Sequence, residues 1–198
     1  LSQATAAITQ SMGIEHTVAP MSDSPVRTIV HSDQGDLAFQ HYFVREGCGP
    51  KVSGFSFDGI ANAKLNPLIR EWLADCDGVI ICPSNPFVSV DPLLHLDGFG
   101  EALKSLPVIA VSPIVGGIAI KGPAAKMMHE LNMPATALAV ADHYQGLIDG
   151  FVVDQTDAAL VEQFNVPTIS TPSVMVTLQD RIDLARTCVS FLASLSSN

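Results

Sequence analysis

Basic residues are scarce in this sequence, which has 10 Lys and Arg against 20 Asp and Glu among its 198 residues. A protein that binds nucleic acid through the phosphate backbone needs a basic stripe to displace counterions. Ten dispersed cations and a net charge of −10 do not supply one. The composition therefore excludes nucleic acid as a partner. Because 47% of the residues are hydrophobic, it predicts one globular domain, residues 1–198, with a substantial core.

Long uninterrupted apolar runs are missing as well. The longest run, residues 108–120, is interrupted by Ser112, Pro113, Gly116 and Gly117. A membrane-spanning helix needs about 20 consecutive, predominantly apolar residues. The sequence therefore predicts no membrane partner.

The four cysteines do not form the pattern of a disulfide framework. Cys48, Cys76, Cys82 and Cys188 include no Cys-x-x-Cys pair. Cys76 and Cys82 lie beside or within an apolar strand pattern. We expect buried, free thiols in a reducing cytoplasm, where disulfides are rare.

Several catalytic and metal-binding signatures are absent. The six histidines have no metal-ligand spacing. We therefore predict no zinc site and assign no metal ligand. The sequence has no G-x-S-x-G elbow and no G-x-x-x-x-G-K-[ST] loop. Their absence argues against an α/β-hydrolase triad and a P-loop NTPase.

Strands and helices alternate through the second half of the sequence. Strands are predicted at 79–82, 108–111, 150–153 and 166–169, and the first is a continuous apolar run typical of a strand covered on both faces. Helices are predicted at 94–104, 123–131, 136–144, 157–164 and 177–195. The last helix carries on one side Leu178, Ile182, Ala185, Val189 and Leu192. This alternation predicts an α/β fold, with a Rossmann-like, doubly wound, mostly parallel sheet and helices on both faces.

The first half of the sequence is less regular. Its patterns predict a helix at 1–12, a hairpin that turns at 32–36, a strand at 51–57 and a helix at 67–73. The aromatic residues predicted to lie in the core are Phe39, Tyr42, Phe43 and Trp72. The polar loop 19–28 holds two candidates for ligand contact, Asp23 and Arg27. A surface ion pair or a turn cap is the commoner role for a residue such as Asp23.

The stretch 108–131 combines a buried strand, a Ser-Pro turn, a glycine pair and the start of a helix. Gly122 and Pro123 occupy the positions of an N-cap and a first helical residue. Lys121 lies just before them, so its charge and the free N–H groups of the first helical turn predict an anion site. Gly116 and Gly117 permit a close approach of ligand to the main chain. The alternative is a tight strand-to-helix connection that holds nothing.

A second polar loop follows the strand at 79–82. Ser84, Asn85 and Ser89 offer donors to phosphate or ribose oxygens, and Asp91 offers an acceptor to a base or sugar hydroxyl. Alternatively, Asn85 and Asp91 only close Asx-turns. Because parallel strands place their carboxyl ends at one edge of a sheet, we expect this loop and the loop containing Ser112 to line one pocket.

Five motifs resemble a known family. They are ICPSNPFVSVDP (81–92), AVSPIVGGIAIKGPAAKMM (110–128), MSDSPVRTIV (21–30), HYQGLIDGFVVDQTDA (143–158) and FQHYFV (39–44). These long motifs are similar, in the same order, to those of the 2-phospho-L-lactate transferase family. The resemblance implies a Rossmann-like fold and a step in the biosynthesis of coenzyme F420. In that step a phospholactyl or phosphoenolpyruvyl group passes from a guanosine diphosphate conjugate to the hydroxyl of the deazaflavin Fo, with release of GMP, and magnesium is required.

The resemblance also implies that the magnesium and Fo contacts of the family lie upstream of Leu1. We therefore expect this chain to be the carboxyl-terminal two-thirds of a longer transferase and, alone, to be inactive in transfer. The nucleotide and phosphate contacts carried over are Ser84, Asn85, Ser89, Ser112, Gly116, Gly117, Lys121 and Gly122, with Lys121 as the catalytic charge. The choice between lactyl and enolpyruvyl donors stays open, and a homodimer is among the allowed assemblies. The alternative function is a nucleotide-sugar-binding regulator of related fold.

Overall fold

The first 75 residues build a small antiparallel sheet and two helices. The computed structural model describes residues 1–195, so the last three residues of the predicted domain lie outside the described residues. The elements are α1 (Ser2–Ser11), β1 (Arg27–Ser32), β2 (Gly35–Ala38), β3 (Val52–Asp58) and α2 (Pro67–Asp75). The strand order is β2-β1-β3. Ser32 pairs with Gly35 across the tight turn, which confirms the predicted hairpin.

The rest of the chain builds a parallel sheet covered by helices. The elements are β4 (Val79–Ile81), α3 (Asp91–Leu94), α4 (Phe99–Leu103), β5 (Val108–Val111), β6 (Ile114–Val115), β7 (Ile118–Ala119), α5 (Ala124–Glu130), α6 (Ala137–His143), β8 (Gly150–Asp154), β9 (Thr168–Thr171) and α7 (Leu178–Leu195). The parallel strand order is β4-β5-β8-β9. Within residues 1–195, no helix has the length and apolar character needed to cross a bilayer.

Alternate residues of β5 point to opposite faces of the parallel sheet. Ile109 and Val111 pack with residues of α7, whereas Val108 and Ala110 belong to the core on the other face. The helices α5 and α6 contribute to that second core Met127, Met128, Ala137 and Val140. Helices therefore cover both faces, as the alternation of strands and helices predicts.

Strand burial follows position in the sheet. Every residue of β5 and of β8 is buried, as expected for parallel strands between two helical layers. Both faces of β4 pack against core residues, as predicted, with Val79 and Ile81 on one side and Ile80 on the other. Its residues are nevertheless only half-buried, because β4 is an edge strand. Cys82, which follows it, is exposed rather than buried. The other three cysteines are also free thiols, half-buried at Cys48 and Cys76 and buried at Cys188.

The helix α7 confirms its predicted length but not its predicted apolar side. Its buried residues are Leu184, Cys188 and Leu192, spaced by four, and they pack against β5 and β8. Leu178 and Val189, assigned to the buried side, are 68% and 59% exposed. The prediction overlooked Cys188, which behaves as a small apolar residue when it is buried.

Other aromatic and helical predictions need correction. Trp72 is 38% exposed, and no residue of α2 is buried. Phe43 is also 43% exposed, whereas Tyr42 is fully buried as predicted. The loop 83–92 contains a wide helical turn, Pro86–Val90, and leads directly into α3. The predicted helix 94–104 is divided at Gly98, whose φ of 78° precedes α4.

Gly150 allows α7 to approach the sheet closely. A Cβ at this position would lie 2.8 Å from Cε1 of Phe191 and 2.9 Å from Cδ1 of Leu195. We expect Gly150→Ala to lower the free energy of unfolding by about 1–3 kcal/mol, the usual cost of overpacking. Chemical denaturation measures the change. The control is Gly100→Ala, where an added Cβ meets nothing within 4 Å, and equal stability of the two variants would contradict the argument.

Candidate functional site

A cleft of about 160 Å³ opens at the carboxyl ends of the parallel strands. The loop after β4 contributes Pro83 and Asn85, the loop after β5 contributes Ser112 and Pro113, and the loop after β9 contributes Ser173. The remaining lining residues are Val115, Ile120, Lys121, Ala124, Val174, Met175 and Arg181. Ligands of open α/β sheets bind at this edge. The structure thus brings together the two loops that the sequence predicts to share a pocket.

A larger cavity, of about 490 Å³, lies at the opposite edge, beside the segments that lead into β5 and β8. Its ionisable residues are three carboxylates and one lysine: Asp97, Glu101, Asp149 and Lys104. Lys104 is already paired with Glu101 at 2.7 Å, and Asp149 accepts a hydrogen bond from the main chain. We therefore place the candidate site at the carboxyl edge, where polar donors and cations converge.

Local hydrogen bonds shape the loops around the cleft. The Asn85 carboxamide oxygen accepts from the main-chain N–H of Phe87, so this residue caps the turn that follows. The Ser112 hydroxyl donates to the carbonyl of Ile114 and accepts from its N–H, which holds the Ser-Pro turn closed. Ser112 is itself buried. Hydrogen bonds within each loop therefore define the shapes of both polar loops.

Gly116 and Gly117 form the two-residue turn of the β6–β7 hairpin. Their φ angles are 55° and 81°, and a type I′ turn requires positive φ at both positions. The flanking residues Val115 and Ile120 line the cleft, whereas the two glycines lie outside its lining. Their role in this structure is to turn the chain so that these apolar side chains reach the cleft.

Two cations line the cleft from different elements. Lys121 follows the β6–β7 hairpin and Arg181 lies in the first turn of α7. Both side chains belong to exposed residues, and no anionic residue is among those that line the cleft. The cleft is therefore electrostatically suited to an anion although the chain carries a net charge of −10.

Asp154, at the end of β8, anchors the loop that carries Ser173. Its carboxylate accepts the Ser173 N–H at 2.7 Å and hydroxyl at 3.1 Å, and the Thr156 N–H at 2.9 Å and hydroxyl at 2.7 Å. Burial disfavours ionisation, but these hydrogen bonds outweigh it and lower the pKa of Asp154. The ionised carboxylate thus joins β8 to one wall of the cleft.

Asp157 supports the opposite wall. Its carboxylate accepts the main-chain N–H of Gly116 at 3.0 Å, and Asp157 is 9% exposed. The segment that follows β8, Gln155–Gln163, forms a tight 3₁₀ helix rather than the predicted α-helix. Asp154, just before this helix, and Asp157, in its first turn, therefore reach two different loops of the cleft.

The sequence model of 2-phospho-L-lactate transferase CofD matches residues 1–180 of this chain. The chain belongs to the 2-phospho-L-lactate transferase family. The 2-phospho-L-lactate transferase of Methanococcoides burtonii is 37% identical over 186 residues, which are 92% of this chain and 61% of that protein. The one of Methanocaldococcus jannaschii is 32% identical over 189 residues, 93% of this chain and 61% of that protein. The chain therefore spans about 61% of the length of these two transferases.

Solved structures share the fold of this transferase-family chain. A crystal structure of a UPF0052-family protein from Bacillus halodurans has a TM-score of 0.60 at 17% identity, over 93% of this chain and 66% of that chain. A second crystal structure from the same organism has a TM-score of 0.62 at 16% identity, over 95% and 66%. At this identity the likeness supports the α/β fold alone.

The cleft takes in some of the predicted site residues of this transferase-family chain and leaves others out. Those that line it are Asn85, Ser112 and Lys121. Those outside its lining are Ser84, Ser89, Asp91, Gly116, Gly117, Gly122 and Arg27. Arg27 is an exposed residue of β1, opposite Asp58, rather than part of a loop. Asp23 accepts hydrogen bonds from the N–H and hydroxyl of Ser2, the first residue of α1.

Lys121 is placed as predicted, but the helix begins later than predicted. The first residue of α5 is Ala124 and its N-cap is Pro123, so Gly122 lies one residue too early to be the cap. Gly122 instead turns the chain, with φ of 71°. No side chain among residues 1–195 caps this helix end, and Ala124 lines the cleft.

The cleft also includes residues that sequence reasoning missed, namely Arg181, Ser173, Val174 and Met175. Arg181 lies sixty residues after Lys121 and on a helix whose pattern only indicates an amphipathic surface. Only the position of the segment 172–177 could have indicated these residues. The segment connects a predicted strand to a predicted helix and so follows the carboxyl end of a strand.

The magnesium that the family resemblance implies finds no fitting set of ligands in this cleft. Within residues 1–195, no group of three or more His, Cys, Asp or Glu side chains is placed to hold a metal ion. The carboxylates joined to the cleft loops, Asp154 and Asp157, already accept hydrogen bonds from Ser173, Thr156 and Gly116. Two histidines pair with carboxylates in the structure, His31 with Asp36 and His143 with Asp91.

Proposed function

We propose that this chain carries the nucleotide and phosphate side of a transferase in coenzyme F420 biosynthesis. The enzyme would move a 2-phospholactyl or phosphoenolpyruvyl group from a guanosine diphosphate conjugate to the hydroxyl of Fo. Family membership and the two cations of an anion-suited cleft support this proposal. The observation that carries it is the convergence of Lys121, Arg181 and Asn85 at the carboxyl edge of the parallel sheet.

The chemistry requires little covalent work from the protein. The Fo hydroxyl oxygen attacks the phosphorus that bears the lactyl or enolpyruvyl oxygen. The new P–O bond forms as the bond to the bridging oxygen breaks, and GMP leaves with the bridging electrons while the hydroxyl proton passes to solvent. Charge builds on the phosphoryl oxygens, where Lys121 and Arg181 would stabilise it. Asn85 would donate its amide N–H to a phosphate or ribose oxygen.

Three further parts of the proposal concern magnesium, the cellular compartment and the assembly. Residues 1–195 contain no group of three or more His, Cys, Asp or Glu side chains placed to hold a metal ion. Other groups would therefore hold the magnesium that the family resemblance implies. We place the reaction in the cytoplasm, as a nucleotide-dependent step with free thiols. A homodimer stays a prediction.

The direct test incubates the full-length protein with the guanosine diphosphate conjugate, magnesium and Fo. Mass spectrometry of the products should find GMP and the phosphodiester of Fo in equal amounts. Absence of both, in a folded protein that binds neither substrate, would overturn the proposal.

Nucleotide selectivity separates the transferase from a nucleotide-sugar-binding regulator. We expect GDP to raise the melting temperature and UDP-N-acetylglucosamine to leave it unchanged, since a ligand stabilises the state that binds it. The reverse pattern would favour the regulator. The isolated 198-residue chain, assayed beside the full-length protein, tests the expectation that it does not catalyse transfer alone.

A further inference from the structure

A carboxylate and an imidazole pair beneath the loop that carries Asn85. Oδ1 of Asp91 lies 2.8 Å from Nε2 of His143, and their side chains are 16% and 23% exposed. Asp91 is the first residue of α3 and His143 is the last residue of α6. The pair therefore joins the end of the wide turn Pro86–Val90 to a helix that packs on the sheet.

The imidazole of His143 also supports the beginning of the same turn. Its ring meets the ring of Phe87 edge to face, with centroids 5.3 Å apart. On another side Phe87 stacks on Phe55 at 5.6 Å. Phe87 in turn donates its N–H to the carboxamide oxygen of Asn85 at 3.1 Å. One side chain, His143, thus contacts both ends of the turn that Asn85 caps.

Asn85 depends on this turn for its orientation in the cleft. Its carbonyl accepts the N–H of Ser89 at 3.0 Å, and its carboxamide nitrogen donates to Sδ of Met127 at 3.2 Å. A thioether is a weak acceptor, so the contact with Met127 holds the amide only loosely. The main-chain geometry of the turn is the stronger constraint on the side chain.

We propose that Asp91 and His143 are positioning residues, which hold the Asn85 carboxamide towards the cleft without contacting the ligand. Asp91 was predicted to accept a hydrogen bond from a nucleotide, but its carboxylate is used by His143 and lies outside the cleft lining. The choice of GDP as a probe of the cleft rests on the proposed function. The positioning itself does not, because it is a property of the chain without ligand.

The test compares His143→Leu, His143→Gln and Asp91→Asn in the full-length protein. Glutamine keeps a side-chain donor for Asp91, whereas leucine keeps only the bulk. Hydrogen exchange of the Phe87 and Ser89 amides reports the turn, since both donate to Asn85. The matched control is His31→Leu, which breaks a surface pair between Nδ1 of His31 and Asp36 at 2.7 Å.

In His143→Leu we expect both amides to exchange about tenfold faster, because a lost hydrogen bond to a charged group opens the local structure. Core amides of β5 should keep their protection. GDP affinity, where the wild type binds GDP, should fall about five- to tenfold, the effect expected for the loss of one hydrogen bond. His143→Gln should restore both readouts to within about twofold, and His31→Leu should change neither.

Unchanged exchange at Phe87 and Ser89 in His143→Leu would overturn the positioning proposal, with or without GDP binding. An equal loss of protection throughout the core would overturn it too, because the pair would then serve general stability. If His143→Leu does not fold, Asp91→Asn decides by the same two amides. A wild-type protein that fails to bind GDP refutes the proposed function and leaves the exchange comparison valid.

Discussion

Replacing Lys121 with alanine should reduce the transfer rate of the full-length enzyme by an amount equivalent to about 2–4 kcal/mol, the size measured for the loss of one preorganised charge-stabilising group. Lys121 lines the cleft together with Arg181, and no acidic residue among the lining residues neutralises either charge. Arg181→Ala should have a similar effect for the same reason. Steady-state kinetics with the guanosine diphosphate conjugate and Fo measures both.

Matched controls come from cations outside the cleft. Lys104 is paired with Glu101 at the other edge of the sheet, and Arg186 is an exposed residue further along α7. Lys104→Ala and Arg186→Ala should leave the rate within about twofold of the wild type, since exposed charges contribute little. A rate within about threefold of wild type for Lys121→Ala would remove Lys121 from the charge-stabilising group.

Asp154→Ala should lower the free energy of unfolding by about 3 kcal/mol, because the buried donors of Ser173 would be left without a charged acceptor. Asp154 is 4% exposed, and its carboxylate accepts four hydrogen bonds from Thr156 and Ser173. Denaturant titration measures the loss. Asp180→Ala is the control, since this exposed carboxylate accepts two main-chain N–H groups at the start of α7, and a lost helix cap costs about 1 kcal/mol. Equal losses would contradict the role of burial.

The same carboxylate should make stability depend on pH in the acid range. The pKa of Asp154 is lower in the folded protein than its ordinary value of 3.8. The unfolded chain therefore binds the proton more tightly, so this stabilisation is complete above the ordinary pKa and disappears as the pH falls through the folded one. Asp154→Asn should weaken the acid dependence in unfolding curves between neutral pH and pH values below 3.8. An unchanged pH profile would show that Asp154 does not contribute to it.

Much of the fold follows from local patterns. The apolar runs of β5 and β8, the turn residues between β1 and β2, and the Asn-Pro start of α2 each encode an element through periodicity or turn chemistry. The carboxyl ends of parallel strands lie at one edge of a sheet, so the sequence predicts that Asn85 and Ser112 lie close together. The motifs also identified the family, because they are long and occur in the family's order.

Contacts between distant segments were decided only by tertiary structure. Arg181 reaches the cleft because α7 packs across the sheet through Leu184 and Cys188, and a helical pattern gives the period of a helix but not its rotation. Likewise β4 is only half-buried because of its place at the edge of the strand order. Asp91 faces His143, 52 residues away, instead of the cleft. The sequence by itself determined two of the loops that form the site, those after β4 and β5. Packing determined that the loop after β9 joins them and which side chains of these loops enter the cleft, since a side chain's direction depends on the neighbours that bury it.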